Sequence, residues 1–145
     1  MQIADIMTRN PMTIRSDQTL REALKIMEQN EFHHLPVLSE ARHLVGIITD
    51  RDCRLALRLP DVVHEYWKDN ATVDDLTVGD VMTVAPIVVE PDTLIVQAAQ
   101  TLLMNYVSCL PVMLGETLVG IVTISDILIA FVKMYQSPLS NPPLR

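Results

Sequence analysis

The stretch LVGIITDRD at residues 44–52 decides the fold, and it returns as LVGIVTISD at residues 118–126. In both copies a run of branched aliphatic residues, typical of a short buried strand, leads into polar residues that favour the start of a helix. Thr49 and Thr123 stand at this junction and are predicted to cap the two helices. Each copy should therefore place the end of a strand and the start of a helix at one point.

The same residues suit a ribose-phosphate. Free backbone N–H groups at a helix N-terminus attract phosphate. An aspartate follows each threonine by three residues, one helical turn on. These carboxylates, Asp52 and Asp126, could accept hydrogen bonds from the two adjacent hydroxyls of a ribose. A single Thr-x-x-Asp is more often a plain helix cap, but its duplication within a long repeat favours a binding function.

Length and composition narrow the possible classes of protein. The 145 residues, 49% apolar and 20% charged, fit one globular domain or two small ones. A net charge of −7 argues against a nucleic-acid partner. No apolar run reaches the ~18 residues that span a bilayer, and the N-terminus lacks the pattern of a secretion signal. Cys53 and Cys109 show no metal or redox spacing, so we expect reduced core cysteines in a cytoplasmic protein.

The chain is an internal duplication. Its halves align at an offset of 75 residues, so that Met7 corresponds to Met82, and this offset holds through the Leu-Pro-Val motifs. A one-residue shortening of the following turn then brings Gly46 onto Gly120. Two copies are too few for a solenoid, so the two units should pack face to face. We predict repeat 1 at 1–59, a connector at 60–78, repeat 2 at 79–136 and a flexible tail at 137–145.

Each repeat is predicted to be β-α-β-β-α, which makes the fold class α/β (α+β). In repeat 1 we expect an extended piece at 12–14, a helix at 19–30 opened by a capping box, strands at 35–38 and 44–48, and a helix from 50 to about 59. The connector is expected to be a helical extension plus an acidic segment, with Tyr66 and Trp67 anchoring it to the body or to a second subunit.

These motifs resemble the CBS-domain pair family, the tandem cystathionine-β-synthase-type domains also called Bateman modules. Repeat 1 carries DIMT with a following proline at 5–11, HLPV at 34–37 and GIITDRD at 46–52. Repeat 2 carries DVMT with its proline at 80–86, CLPV at 109–112 and GIVTISD at 120–126. The resemblance implies two repeats packed with pseudo-two-fold symmetry into one module, nucleotide clefts between the copies and a disc-like homodimer.

The family binds adenosyl ligands, namely AMP, ADP, ATP, S-adenosylmethionine and sometimes dinucleotides such as NAD. The resemblance implies that phosphate and ribose contact Thr49, Asp52, Thr123 and Asp126, with Arg51 and Ser125 beside them. It implies that adenine lies against the first strand and the Leu-Pro segment, which gives the following residues: Thr13, Ile14, His34 and Pro36 in repeat 1, and Ile87, Val88, Cys109 and Pro111 in repeat 2. It further implies a non-catalytic regulatory module that signals to a separate partner protein.

Several alternatives stay open. Arg51 and Arg54 stand where repeat 2 has Ser125 and Leu128, so repeat 1 would favour an anionic ligand, unless both arginines are plain surface residues. Repeat 2 could take a less charged ligand or borrow arginines from repeat 1. The histidines lack metal-ligand spacing, and no nucleophile–base pair indicates catalysis. The chief alternative function is a structural or interaction module that has lost ligand binding.

The sequence also predicts self-association. The helix beginning near Ser125 is apolar nearly all round, and the matching stretch 53–59 of repeat 1 is also rich in apolar residues. In a monomer both helices would expose an apolar patch, which soluble proteins seldom leave open. Pairing across a two-fold axis would cover it. We therefore expect a homodimer that is weakened by Phe131→Glu.

Overall fold

A computed structural model describes residues 1–58 and 75–136. The chain divides into two compact units. One, here the Thr49 unit, is Pro11–Pro86; the other, the Thr123 unit, joins Met1–Asn10 to Ile87–Arg145. The predicted tail and most of the predicted connector, with Tyr66 and Trp67, lie outside the described residues.

In repeat 1 the elements follow the predicted β-α-β-β-α order with short additions, whereas in repeat 2 the first predicted strand is reduced to a single bridge between Val89 and Val112. After a 3₁₀ turn at Ile3–Asp5 they are β1 (Thr8–Arg9), β2 (Ile14–Arg15), α1 (Leu20–Asn30), β3 (His34–Leu38), β4 (Leu44–Thr49), α2 (Asp50–Arg58), α3 (Val78–Val81), β5 (Thr83–Val84), α4 (Ile95–Asn105), β6 (Cys109–Leu114), β7 (Thr117–Thr123) and α5 (Ile124–Tyr135). The mixed α and β fold class is therefore confirmed. The predicted bounds of the helices and hairpin strands agree with the observed bounds to within a residue or two.

Each unit has its own sheet. The four-stranded sheet of the Thr49 unit has the order β2-β3-β4-β5, and the three-stranded sheet of the Thr123 unit has the order β1-β7-β6. Strand β2 runs parallel to β3, and the other pairs are antiparallel. In both units an antiparallel hairpin therefore leads into a helix.

The short strands β1 and β5 are exchanged between the repeats. Strand β1, near the N-terminus, pairs with β7, and β5, from the start of repeat 2, pairs with β4. A repeat of the sequence and a compact unit of the structure are thus built from different segments. Two-residue strands are too short to carry a periodic pattern, which is why the sequence did not indicate them.

The motif glycines are required by this exchange. A Cβ atom on Gly46 would lie 2.5 Å from Sδ of Met82 and 2.8 Å from the carbonyl oxygen of Thr83, which belongs to β5. On Gly120 it would lie 2.6 Å from Sδ of Met7. Glycine stands at these positions because the exchanged segment approaches the hairpin strand more closely than any side chain permits.

A separate apolar core fills each unit. In the Thr49 unit Leu35 and Val37 of β3 belong to a buried cluster with the apolar face of α1. The alternate residues, His34 and Pro36, lie on the other face of the strand because side chains alternate along it. The Thr123 unit has an equivalent buried cluster, which includes Leu110 and Val112 of β6 and Val122 of β7. The predicted binding residues on these strands thus share the face turned away from each core.

Candidate functional site

The structure brings the predicted residues together where each hairpin ends. His34, the first residue of β3, pairs in register with Thr49, the last residue of β4, and α2 begins at the next residue. In the Thr123 unit Cys109 pairs with Thr123 in the same way, and α5 follows at once. Each unit therefore carries its own strand-end and helix-start arrangement.

Both threonine–aspartate pairs form closed capping boxes. The backbone N–H of Asp52 donates to Oγ1 of Thr49 at 3.1 Å, and the N–H of Thr49 donates to Oδ2 of Asp52 at 3.1 Å. Asp126 donates to Thr123 Oγ1 at 3.3 Å, and its Oδ2 accepts from the Thr123 N–H at 2.8 Å and from the Thr123 hydroxyl at 3.1 Å. Within residues 1–58 and 75–136 the second oxygen of each carboxylate, Oδ1, has no hydrogen-bond partner. These Oδ1 atoms can still accept hydrogen bonds from a diol.

The residues predicted for adenine in the Thr49 unit are less closely grouped. Ile14 is 2% exposed and packs in the core, so only its main chain could meet a ligand. It pairs with Val37, which stands three residues, about 10 Å, along β3 from His34. Thr13 and Ile14 instead line a hollow of about 330 Å³ beside the β3–β4 turn. Pro36 lies between the two places and is buried.

The corresponding residues of the Thr123 unit also differ in access. Cys109 and Pro111 are buried, whereas Val88 is 44% exposed and Ile87 is similarly open. Ser125 is exposed in the first turn of α5. The side chains of Val88 and Ile87 are therefore exposed enough to contact the apolar ring of a ligand directly. Both residues precede the strand bridge at Val89.

Charged side chains surround the start of α2. His33 Nδ1 lies 3.0 Å from Asp50 Oδ2, and Arg54 lies 3.3 Å from Glu28 of α1. Arg51 is exposed, and its guanidinium has no partner within the described part of the chain. Of the two predicted arginines, Arg51 is thus the one available to an anionic ligand.

Two neighbouring groups have shifted pKa values. Burial lowers the pKa of His34, and the charge of His33 lowers it further, against the opposing effect of Asp50 and Asp52. Partial burial acts to raise the pKa of Asp50, but hydrogen bonds from His33 and the Arg51 backbone outweigh it and hold that pKa below its usual value. His34 is therefore neutral near pH 7, which suits contact with an uncharged base.

The Thr123 unit replaces these charges. The positions of His33, Asp50 and Arg54 are taken by Ser108, Ile124 and Leu128. Asp126 instead lines a hollow of about 260 Å³ together with Asp5 and Lys133. Lys133 was missed in the sequence, although it stands seven residues after Asp126 and hence on the same side of α5.

The cysteines agree with their predicted role. Cys53 and Cys109 are free and buried. Burial raises the pKa of the Cys53 thiol to about 12, which keeps it protonated and unreactive. Among the described residues no group of three His, Cys, Asp or Glu side chains could hold a metal ion. No helix in that part of the chain has the length and apolar character needed to span a membrane.

Comparison with known proteins identifies the family. The CBS domain model matches residues 3–59 and 78–133. A CBS domain-containing protein of Dictyostelium discoideum is 33% identical over 135 residues, which cover 92% of this chain and 93% of that protein.

Two solved structures share the fold. CBSX2 from Arabidopsis thaliana, solved in complex with AMP, has a TM-score of 0.78 and 28% identity, covering 93% of this chain and 98% of that one. The CBS domain pair of protein MJ0100, solved with 5′-methylthioadenosine and S-adenosyl-L-methionine, has a TM-score of 0.79 and 29% identity, covering 92% and 98%. Together with the matched motifs, these findings show that the chain belongs to the CBS domain family and carries a pair of CBS domains.

Proposed function

We propose that this chain is a non-catalytic regulatory module that binds an adenosyl ligand, namely AMP, ADP, ATP, S-adenosylmethionine or the dinucleotide NAD, and passes the signal to a separate partner protein in the cytoplasm. The observation that carries the proposal is the repeated site, in which a Thr–Asp pair stands where a hairpin strand becomes a helix. The ligands in the CBSX2 and MJ0100 structures share an adenosine moiety. The common element is therefore the adenosine, which offers a diol and a flat base.

The side chains at each helix start can meet such a ligand. Oδ1 of Asp52 or Asp126 accepts from the ribose hydroxyls, and hydrogen bonds to a charged group each contribute about 1.5–3 kcal/mol. The first N–H groups of α2 and α5 favour a phosphate. At α2 the Arg51 guanidinium adds a charge-assisted contact, and neutral His34 stands opposite Thr49 to contact the base.

A second function is also supported, that of an interaction module without a ligand. The closed capping boxes account for both Thr–Asp pairs on structural grounds alone. Repeat 2 in addition has Ser125 and Leu128 in place of two arginines. The interaction-module hypothesis predicts that the chain binds its partner protein equally well with and without nucleotides.

Ligand binding distinguishes the two functions. Calorimetry with AMP, ADP, ATP, S-adenosylmethionine and NAD should give a saturable signal for at least one of them, and a ligand at 100 times its Kd should stabilise the fold by about 2.7 kcal/mol. The absence of binding at millimolar concentration of every ligand would leave the interaction module as the function. Release of product from ATP above the buffer rate would contradict the non-catalytic assignment.

The site residues are tested by isosteric variants. Asp52→Asn and Asp126→Asn keep one oxygen for the threonine N–H but remove the carboxylate that would accept from the diol. We expect each to weaken adenosyl binding at its own site by about tenfold or more. The matched control is Glu22→Gln, because Glu22 closes the same kind of box with Thr19 at the start of α1. Undiminished binding in both aspartate variants would show that the site lies elsewhere.

A further inference from the structure

A hollow beside the β3–β4 turn, here called the turn hollow, lies away from the helix start at Thr49. Its volume is about 330 Å³, and it is lined by residues of two segments, 13–18 and 38–42. Leu38 stands four residues after His34 on β3, which places the hollow about 13 Å from the Thr49 end of the hairpin. Pockets that hold small molecules measure ~300–1,000 Å³. The turn hollow is therefore a separate place in the Thr49 unit, large enough for a small ligand.

Arg42 brings an unpaired guanidinium to the turn hollow. Its side chain is exposed and has no partner within residues 1–58 and 75–136. Its backbone is left-handed, with φ 66°, and its N–H donates to the carbonyl oxygen of Ser39 within the turn. In the corresponding turn of repeat 2 the left-handed residue is Gly115, with φ 61°, and glycine adopts this conformation without strain. An arginine thus stands where glycine would suit the backbone better, and such strain is often retained at functional sites.

Arg15 presents a second guanidinium to the same hollow. Its Nε donates to Oδ1 of Asp17 at 3.0 Å, and its Nη2 donates to Oδ2 at 3.5 Å. This leaves Nη1 without a partner in the described part of the chain. The two side chains are 61% and 70% exposed, so the pair contributes little to stability, but it favours one orientation of the guanidinium. Asp17 offsets part of the charge of Arg15, and Arg42 therefore supplies most of the attraction for an anion.

The other polar groups of the lining complement the two arginines. Oε1 of Gln18 accepts from the N–H of Arg15 at 3.0 Å, which leaves the NH2 group of its amide to donate. Oγ of Ser39 accepts from the N–H of His43 at 3.2 Å and keeps its own hydroxyl hydrogen. Donors around one space suit a phosphate group, whose oxygens are strong acceptors. Glu40 is exposed and lines the same hollow, so its carboxylate suits a hydroxyl group next to the phosphate.

Repeat 2 has different side chains at these places. At the position of Arg15 it has Glu90, whose charge would repel a phosphate. At the position of Ser39 it has Leu114, which has no side-chain donor. Both repeats form the same antiparallel hairpin, so the fold does not require the basic residues. The chain has a net charge of −7, but salt screens charges beyond ~8 Å, so the nearby arginines decide what the hollow attracts.

We propose that the turn hollow binds a small phosphorylated molecule, with the phosphate held by Arg42 and Arg15 and a hydroxyl group of the same molecule donating to Glu40. Inorganic phosphate would meet the carboxylate of Glu40 without such a hydroxyl, so a phosphorylated alcohol is preferred over it. The Thr49 unit then has a second ligand site in addition to its proposed adenosyl site.

The proposal is tested by calorimetry on the full chain with two probes, glycerol 3-phosphate and inorganic phosphate. We expect saturable binding of both, with glycerol 3-phosphate the tighter. Arg42→Gln should lower the affinity for glycerol 3-phosphate about tenfold or more, and Arg15→Gln should lower it less, because Asp17 already offsets that charge. Glu40→Ala should reduce the preference for glycerol 3-phosphate over inorganic phosphate.

Two further variants separate the site from the fold and from the adenosyl site. Arg42→Gly copies Gly115 of repeat 2, so it should lose the binding of glycerol 3-phosphate while its urea midpoint equals or exceeds that of the wild type. Arg51→Gln is the matched control, because it removes another exposed guanidinium without a partner in the described residues. It should leave the affinity for glycerol 3-phosphate unchanged and weaken the binding of AMP instead.

Three results would each overturn the proposal. They are the absence of saturable binding of either probe to the wild type up to about 10 mM, undiminished binding in Arg42→Gln, and an equal loss in Arg51→Gln. The last of these would place the probe in the adenosyl site. Because AMP is titrated into the same variants, failure of the turn hollow and failure of the proposed function are recognised separately.

Discussion

The two units repeat the same backbone but present different outer surfaces. Helices α1 and α4 both end on a left-handed residue, Glu31 with φ 56° and Tyr106 with φ 54°. Their apolar sides are alike too, since Ala23 and its equivalent Ala98 are both fully buried. On the outer surface, several charged residues of the Thr49 unit have apolar residues at the equivalent positions of the Thr123 unit. The duplication has preserved what the backbone and the core require and has let the solvent-facing side chains diverge.

The left-handed residues are informative because they are not glycines. A φ above +20° strains most L-residues, yet the two helix ends adopt it with glutamate in one copy and tyrosine in the other. Asn10 and Ala85 form a second such pair, with φ of 47° and 48°. Both helix ends close with the same local hydrogen bonds, from the N–H of the left-handed residue and from that of the next residue to the carbonyl oxygen of Met27 or Leu102. The turn that ends the helix, rather than the intrinsic preference of the residue, therefore determines this conformation.

The largest destabilisation is expected at the two motif glycines, because both units have the same steric requirement there. Gly46→Ala and Gly120→Ala should each lower the free energy of unfolding by about 1–3 kcal/mol, because the new methyl group meets the exchanged segment. Urea denaturation of both variants measures this, with Glu40→Ala on the exposed hairpin turn as the control. If either glycine variant is as stable as the control, the close approach of β1 or β5 is not needed for stability.

A smaller effect is expected at the two caps. Thr49→Ala and Thr123→Ala should each cost about 1 kcal/mol in the free energy of unfolding. The loss should be greater at Thr123, whose hydroxyl also donates to Asp126, a contact without a counterpart between Thr49 and Asp52. Thermal and urea unfolding measure it, and the serine variants should restore most of the stability. Equal losses in the two units would show that the extra hydrogen bond contributes nothing.

The smallest effect is a pH dependence of the free energy of unfolding that arises in the Thr49 unit alone. The folded pKa of His34 lies below its ordinary value of 6.5, so the unfolded state binds more protons as the pH falls through 6.5. The free energy of unfolding should therefore keep its full value above about pH 6.5 and decline as the pH falls from there through the folded pKa of His34. His34→Cys, which copies Cys109 of the other unit, should flatten the curve of urea midpoints between pH 7 and pH 5. An unchanged slope would assign the dependence to other groups.

Local sequence determined much of this protein. The capping box of Thr19 and Glu22, the apolar face of α1 and the aliphatic runs of the hairpin strands depend on neighbours within a few residues, so the pattern predicts them directly. The Thr–Asp pairs at the ends of β4 and β7 follow for the same reason. Whether Asp52 and Asp126 bind a ligand in addition to capping their helices stays a prediction, which the variants above address.

Tertiary structure decided the rest. The exchange of β1 and β5 depends on pairing between residues far apart in sequence, and no periodicity within two residues can indicate it. The burial of Ile14, which the sequence assigned to the ligand, follows from its register with Val37. Likewise, two apolar-rich helices were predicted to expose similar patches, but only packing determined which residues turn inward. The sequence carries the hydrogen-bonding and apolar pattern of each element, whereas the surface that each element leaves to solvent depends on what packs against it.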